Sequence, residues 1–285
     1  MFNNIIVVTN LEPNGDRALP VAAALGSLAR IDVELVKVAP RSLSTAVDSC
    51  ELSKRAVEHG WPANAARVIQ ADEYATAIAG EVNARPDALL IMATSAKRPW
   101  VGHVLGSVSE AVLQLVDRPV LLVGPHVPAE LHWTRPTLVA CVHPNVTTEE
   151  LVAAVASWTH TFPASPPRIV EVVPEAGFGA STAAAGTSHL DRVVDMLAAE
   201  GVQARWRTIH GGIPEIRLEE TADRMLQPVL VVASTRWTGT DHGRSTTRRL
   251  VHRSTSPVLV VPARASASSG TQPAGSAGSA PIAAS

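Results

Sequence analysis

One five-residue signal occurs twice in this chain, as Pro119-Val-Leu-Leu-Val and as Pro257-Val-Leu-Val-Val. Each copy closes a run of short β-branched strands alternating with helical stretches, so the chain reads as one unit written twice, repeating at on the order of 135 residues, within the usual size of a domain. A duplication constrains folding more than composition does, because the architecture chosen by one half must also suit the other.

In the first half, residues 5–9, 33–38, 66–70, 88–92 and 119–123 are near-continuous apolar runs, each bounded by turn or helix signals. Strands of that kind are buried on both faces. Between them lie helical stretches at 16–29, 46–59, 72–84 and 108–116. Pro20 falls near a first turn, where it is tolerated, Gly60 stops the second helix, Asp72 is placed to cap the third, and Pro86 forces the chain out of it. Strand and helix in strict alternation predict a parallel sheet with right-handed crossovers and helices on both faces.

Prolines, histidines and Trp133 break the pattern over residues 125–136, which reads as a linker. It then restarts, with strands at 137–142, 169–173, 203–209, 228–232 and 257–261 and helices at about 147–160, 189–200, 214–225 and 245–253. Thr147 and Glu150 have capping-box spacing, and residues 174–188, rich in Gly, Ala, Ser and Thr, read as a mobile insertion. The expected division is a first domain at 1–124, the linker, a second and degenerate domain at 137–262, and a disordered tail at 263–285. That tail has no charge after Arg264 and little apolar surface to bury.

The chain is 46% hydrophobic with a formal net charge of −2, a globular profile that gives no support to nucleic-acid or anionic-membrane binding. Neither a leader pattern nor a membrane-length apolar run is present, so a soluble cytoplasmic protein is expected. Cys50 and Cys141 have no metal-ligand or disulfide spacing and read as reduced packing residues. His126 and His132 flank the linker without ligand geometry, so no metal site is expected.

The stretch 87–124 holds the candidate site: a strand, a loop of small and basic residues, the turn Gly106-Ser107, a short helix and the closing strand. Ser107 and Glu110 have capping-box spacing, so a helix is expected to begin there. A helix N-terminus carries free N–H groups and about half a positive charge, and after a strand and a loop it suits a phosphate. In doubly wound sheets, ligands bind beyond the carboxyl ends of the strands, where strand order reverses. That rule selects Asn10, Val38 and the loop from Ala93 to Ser107.

These features together resemble a tandem universal stress protein, a family with G-x2-G-x9-G-[ST] after the fourth strand and an Asp after the first. Here the match is Ala93-x2-Ala96-x9-Gly106-Ser107, followed by Val108, with Asn10 in place of the Asp and Val38 matching the apolar residue beside the base. The resemblance covers residues 2–262. It implies two domains with strand order 3-2-1-4-5 whose last strands pair antiparallel, as the family's dimers do, so that the expected assembly is a homo-oligomer or an intramolecular pseudo-dimer. It also implies an adenine-nucleotide (ATP) site in the first domain. If Ala93 or Ala96 takes a left-handed backbone, each Cβ costs about 1–2 kcal/mol. A combined loss of about 2 kcal/mol weakens binding roughly thirtyfold. In the second domain Arg244-Ser245 falls at the Gly-Ser turn, Ala233, Ser234 and Arg236 at the loop start, and His143 at the Asp position, so that half is expected to bind nothing.

The first expectation is therefore a non-enzymatic stress-response protein with a weakened nucleotide site. The alternative is a nucleotide-free interaction scaffold, and a slow nucleotide hydrolase is weaker still, since no carboxylate base is evident near Ser107. No G-x-S-x-G elbow surrounds that serine. Lys97 and Arg98 add positive charge to the loop, and Trp100 is expected to cover it. Arg248, Arg249, His252 and Arg253 read as a solvated basic helix face.

Overall fold

The computed structural model describes residues 1–94, 107–130, 133–142, 148–173, 183–235 and 246–263. The first half runs β1 (Asn4–Val8), α1 (Ala18–Ala29), β2 (Asp32–Ala39), α2 (Ala46–Glu58), β3 (Ala66–Gln70), α3 (Tyr74–Asn83), β4 (Ala88–Ala93), α4 (Ser107–Leu115) and β5 (Val120–Val123). The second runs β6 (Thr137–Val142), α5 (Glu149–Thr161), β7 (Ser165–Val173), α6 (Ala183–Ala199), β8 (Arg205–His210), α7 (Pro214–Ala222), β9 (Pro228–Thr235), α8 (Thr246–Arg253) and β10 (Val258–Ala263).

The ten strands form one sheet in the order β3-β2-β1-β4-β5-β10-β9-β6-β7-β8. Each half is parallel within itself and has the expected 3-2-1-4-5 order, read inward from its own outer edge. The halves meet where β5 and β10 pair antiparallel, Leu121 opposite Leu259 and Leu122 opposite Val258. This seam consumes two apolar edges that would otherwise invite aggregation. Leu121, Leu122, Val258 and Leu259 are fully buried, each contributing about 1.5–3 kcal/mol of hydrophobic stabilisation.

Both faces of the sheet are covered, and each apolar layer passes through both halves. On one face α1, α2, α5 and α6 pack over Ile5, Leu35, Leu89, Leu121, Leu259 and their neighbours. On the other, α3, α4, α7 and α8 cover Ile6, Val36, Leu90, Leu122 and Val258. The first residues of the chain lean on the second half: the Phe2 N–H donates to Thr161 Oγ1 at 2.7 Å, and Phe2 packs 6.4 Å from Phe162, itself 4.5 Å from Trp158.

Several local expectations are corrected. Asp72 does not cap α3, whose N-cap is Glu73; its carboxylate accepts instead from the Arg41 N–H at 3.2 Å. The α5 N-cap is Thr148, and its N–H donates to Glu149 Oε2 at 3.1 Å. Part of the expected mobile insertion is helix, since α6 starts at Ala183, where alanine favours helix over loop. β7 begins at Ser165, four residues early, with a register shift against β6 that absorbs Pro166 and Pro167. In the segment read as a linker, Val127 and Trp133 are buried, and Gln227 Oε1 accepts from the Thr134 and Arg135 N–H groups at 2.9 Å. The tail expectation lies outside the described residues, apart from its first residue, Ala263, which ends β10. Cys50 is exposed rather than packed, whereas burial, with Glu171 nearby, pushes the Cys141 thiol up to about 12. No helix among the described residues is long and apolar enough to cross a membrane, and no described group of His, Cys, Asp and Glu has metal-binding geometry.

Candidate functional site

Strand order reverses between β1 and β4, which lie side by side with Val8 opposite Met92. On its other side Val8 lies opposite Val36 of β2. Two residues further on, this register brings Asn10, Val38 and Thr94 to one level at the carboxyl end of the sheet. Of the expected contributors, Asn10 and Val38 are thus brought level with Thr94, whereas Ala93, one residue earlier, turns its side chain to the opposite apolar layer.

Their environments differ from those that the sequence suggests. Asn10 is exposed, and its Oδ1 accepts from the Glu12 N–H at 3.1 Å, closing a turn of the kind short polar side chains make with their own backbone. Gly15 lies against it, because a Cβ there would stand 2.1 Å from Asn10 Oδ1. Thr9 fixes the same loop: its hydroxyl donates to Asp16 Oδ1 at 2.7 Å and accepts from the N–H of Leu11, whose φ is 63°. Asp16 in turn pairs with Arg55 at 3.0 Å. Val38 is only 6% exposed and belongs to the apolar layer under α3 and α4, so it supplies wall rather than open surface.

Ala93 is half-buried at the end of β4 in extended backbone, so its Cβ incurs no left-handed strain. The next residue, Thr94, is buried and donates its N–H to the Val123 carbonyl at 2.9 Å. Ser109 Oγ reaches the Ala93 carbonyl at 3.5 Å, tying the first turn of α4 to the strand end. Ser107 is the first residue of α4, and Val108 is 39% exposed beside it. Ala96 and Gly106, with Lys97, Arg98 and Trp100, lie outside the described residues.

Glu110, the expected capping-box partner of Ser107, makes a contact beyond its own helix. Glu110 pairs with Arg248 of α8, which is 4% exposed, so its carboxylate reaches the other half of the molecule. This neutralises a charge in the first turn of α4 that would oppose a phosphate there. Arg249 pairs with the buried Glu215 of α7. The basic face is therefore not merely solvated: two of its arginines join α8 to α4 and α7. The signal in the sequence was Arg248 alternating with Leu250 and Val251 on an otherwise polar helix, but nothing local named its partner.

Sequence reasoning also passed over Glu171 in β7, 2% exposed, whose Oε2 has no hydrogen-bond partner among the described residues. Burial raises its carboxyl above the ordinary 4.5, and His210 nearby offsets part of that rise. In the second half, Ala233 and Ser234 are half-buried near the end of β9, while His143, Arg236, Arg244 and Ser245 lie outside the described residues.

Two tandem doubly wound units sharing one ten-stranded sheet, joined through an antiparallel pair of last strands, define the class of fold. No protein-family model matches the chain, and no curated protein does. Solved structures do match, end to end. A universal stress protein from Archaeoglobus fulgidus DSM 4304 has a TM-score of 0.65 at 18% identity, with 93% of this chain and 97% of that one covered. A putative universal stress protein from Pseudomonas aeruginosa UCBPP-PA14 has 0.60 at 17% identity, covering 92% and 94%. A functionally unknown protein from Pseudomonas aeruginosa PAO1 has 0.59 at 17%, covering 92% of each chain. At these identities the likeness is one of fold, and the fold is that of the universal stress proteins.

Proposed function

We propose that this chain is a non-enzymatic stress-response protein that binds an adenine nucleotide in its first half and uses its second half as a structural partner. The observation that carries this reading is that the ends of β1, β2 and β4 lie side by side where strand order reverses, with the first turn of the helix that starts at Ser107 tied to the Ala93 carbonyl. Ala93 in extended backbone removes one of the two penalties its alanines would impose, and the Arg248 partner removes the charge of Glu110 from the phosphate end. Asn10 Oδ1 keeps a second lone pair for an adenine amino group. Cytoplasmic residence and assembly beyond the single chain belong to the same proposal.

Mass spectrometry of small molecules released from the purified protein tests it, followed by thermal shift with ATP, ADP and AMP. A ligand at about 100 times its Kd adds about 2.7 kcal/mol of stability, which Gly106→Arg and Ser107→Ala should remove. One nucleotide per chain is expected, and none retained with no shift overturns the reading. The second reading, a nucleotide-free scaffold, is favoured by the Asn10 carbonyl already accepting from Glu12. It is the one left standing by that negative result.

A further inference from the structure

The two outer edges of the sheet occupy equivalent places in the duplicated fold but differ in charge. Matching Pro119 to Pro257 and following the strand registers across each half sets Val36 against Val170 and Arg67 of β3 against Arg207 of β8. By the same registers Glu34 corresponds to Arg168. The buried positions Ile78 and Val82 of α3 match Leu218 and Ala222 of α7, which sets Glu81 against Thr221 and Arg85 against Met225.

In the first half these four positions form a closed, neutral network. Arg67 donates to Glu34 Oε1 at 2.7 Å and to both oxygens of Glu81, at 3.2 and 2.6 Å, while Arg85 reaches the same two carboxylates. In the second half Arg207 makes the corresponding contact, Nη2 to Thr221 Oγ1 at 2.5 Å, but the partner is a hydroxyl. Arg168 stands where the other carboxylate was. Two acids and two bases have become two bases, a threonine and a methionine. Between β7, β8 and α7 this leaves a shallow open cleft, lined among others by Arg168, Arg205, Arg207, Thr221 and Met225. A second shallow cleft continues along the edge past Arg207 to Arg224 and to Arg217, which Glu220 already pairs at 2.9 Å. Arg168 and Arg205 have no carboxylate partner among the described residues.

We propose that the β8 edge is a docking surface for an extended acidic segment of a partner protein, which supplies from outside the carboxylates that Glu34 and Glu81 supply within the first half. β8 is the last strand of the sheet, so one side of its backbone is available for an added strand. Arg205 and Arg207 share a face, and alternate residues of an added strand recur at about the same 6–7 Å spacing. Acidic side chains at every second position would therefore meet both guanidiniums, in the paired geometry arginine makes with carboxylate. A second copy of this edge is repelled by its own arginines. The chain's own tail has no Asp or Glu after Arg264 and cannot supply the charge.

The test is fluorescence anisotropy of the full chain with a labelled short peptide carrying glutamate at every second position and valine or threonine between. Saturable binding is expected, weakened at least about tenfold by changing the glutamates to glutamine. The variant Arg168→Glu/Thr221→Glu, which puts both first-half carboxylates back beside Arg207, should lose at least about tenfold while keeping its thermal stability. Arg207→Gln, which removes charge without adding any, serves if that variant fails to fold. Peptide binding should also slow amide hydrogen exchange across β8. Absent binding, equal binding by the variants, or displacement of the peptide by inorganic pyrophosphate without protection of β8 overturns the proposal, the last result in favour of a small-anion site.

Discussion

Glu171 shows how one residue can escape a reading of pattern alone. It sits in a run of valines, its alternation is that of a strand, and only the packed structure shows its carboxyl buried beside Cys141. Because burial raises its folded pKa above the unfolded value near 4.5, its contribution to stability is fully present below that pH and is lost as pH rises through the raised value. Replacing it removes the ionisation. Glu171→Gln should flatten the decline on the alkaline side of about pH 4.5 and add about 1–3 kcal/mol at pH 8, read by urea denaturation at several pH values. A decline unchanged in the variant would assign it to other groups. Asn10 teaches the converse: its position after the first strand was legible from Asn10 and the Pro13-Asn14-Gly15 turn, but not that its carbonyl is used within that turn.

At the scale of elements, strands and most helices were legible because their signals are local. Apolar runs of strand length, glycine after a helix and proline before a strand act within a few residues, and β3, β6 and the starts of α2 and α7 fall where those signals put them. Caps were less legible, since Asp72 and Glu110 each had a choice between a local amide and a distant partner. The choice made by Glu110 joins α4 to α8, and it has a measurable consequence. Glu110→Ala leaves the buried Arg248 guanidinium without that carboxylate and should cost about 3–5 kcal/mol. Glu110→Leu with Arg248→Met should recover most of the loss, because neither charge then needs a partner. Chemical denaturation of the two variants checks this, and a cost below about 1 kcal/mol for Glu110→Ala would mean that the pair behaves as a surface ion pair.

For the whole molecule, the seam decides how the chain unfolds. Both apolar layers run across β5 and β10, and Gly124, just past β5, leaves so little room that a Cβ would stand 2.1 Å from the Val251 carbonyl oxygen. The halves should therefore unfold together, in one calorimetric transition whose van't Hoff and calorimetric enthalpies agree. Two resolved transitions would show that each half is stable without the other. The sequence by itself determined the α/β class, the duplication, and the alternation that makes the sheet parallel within each half, because periodicity and turn chemistry are written over short spans. Tertiary structure alone decided which charges are closed and which are left open: the first-half edge is neutralised by Glu34 and Glu81, Arg168 and Arg205 of the second meet no carboxylate among the described residues, and Arg248 finds Glu110 across the seam. An ion pair depends on which side chains the folded chain brings within a few ångströms, and no local pattern records that distance.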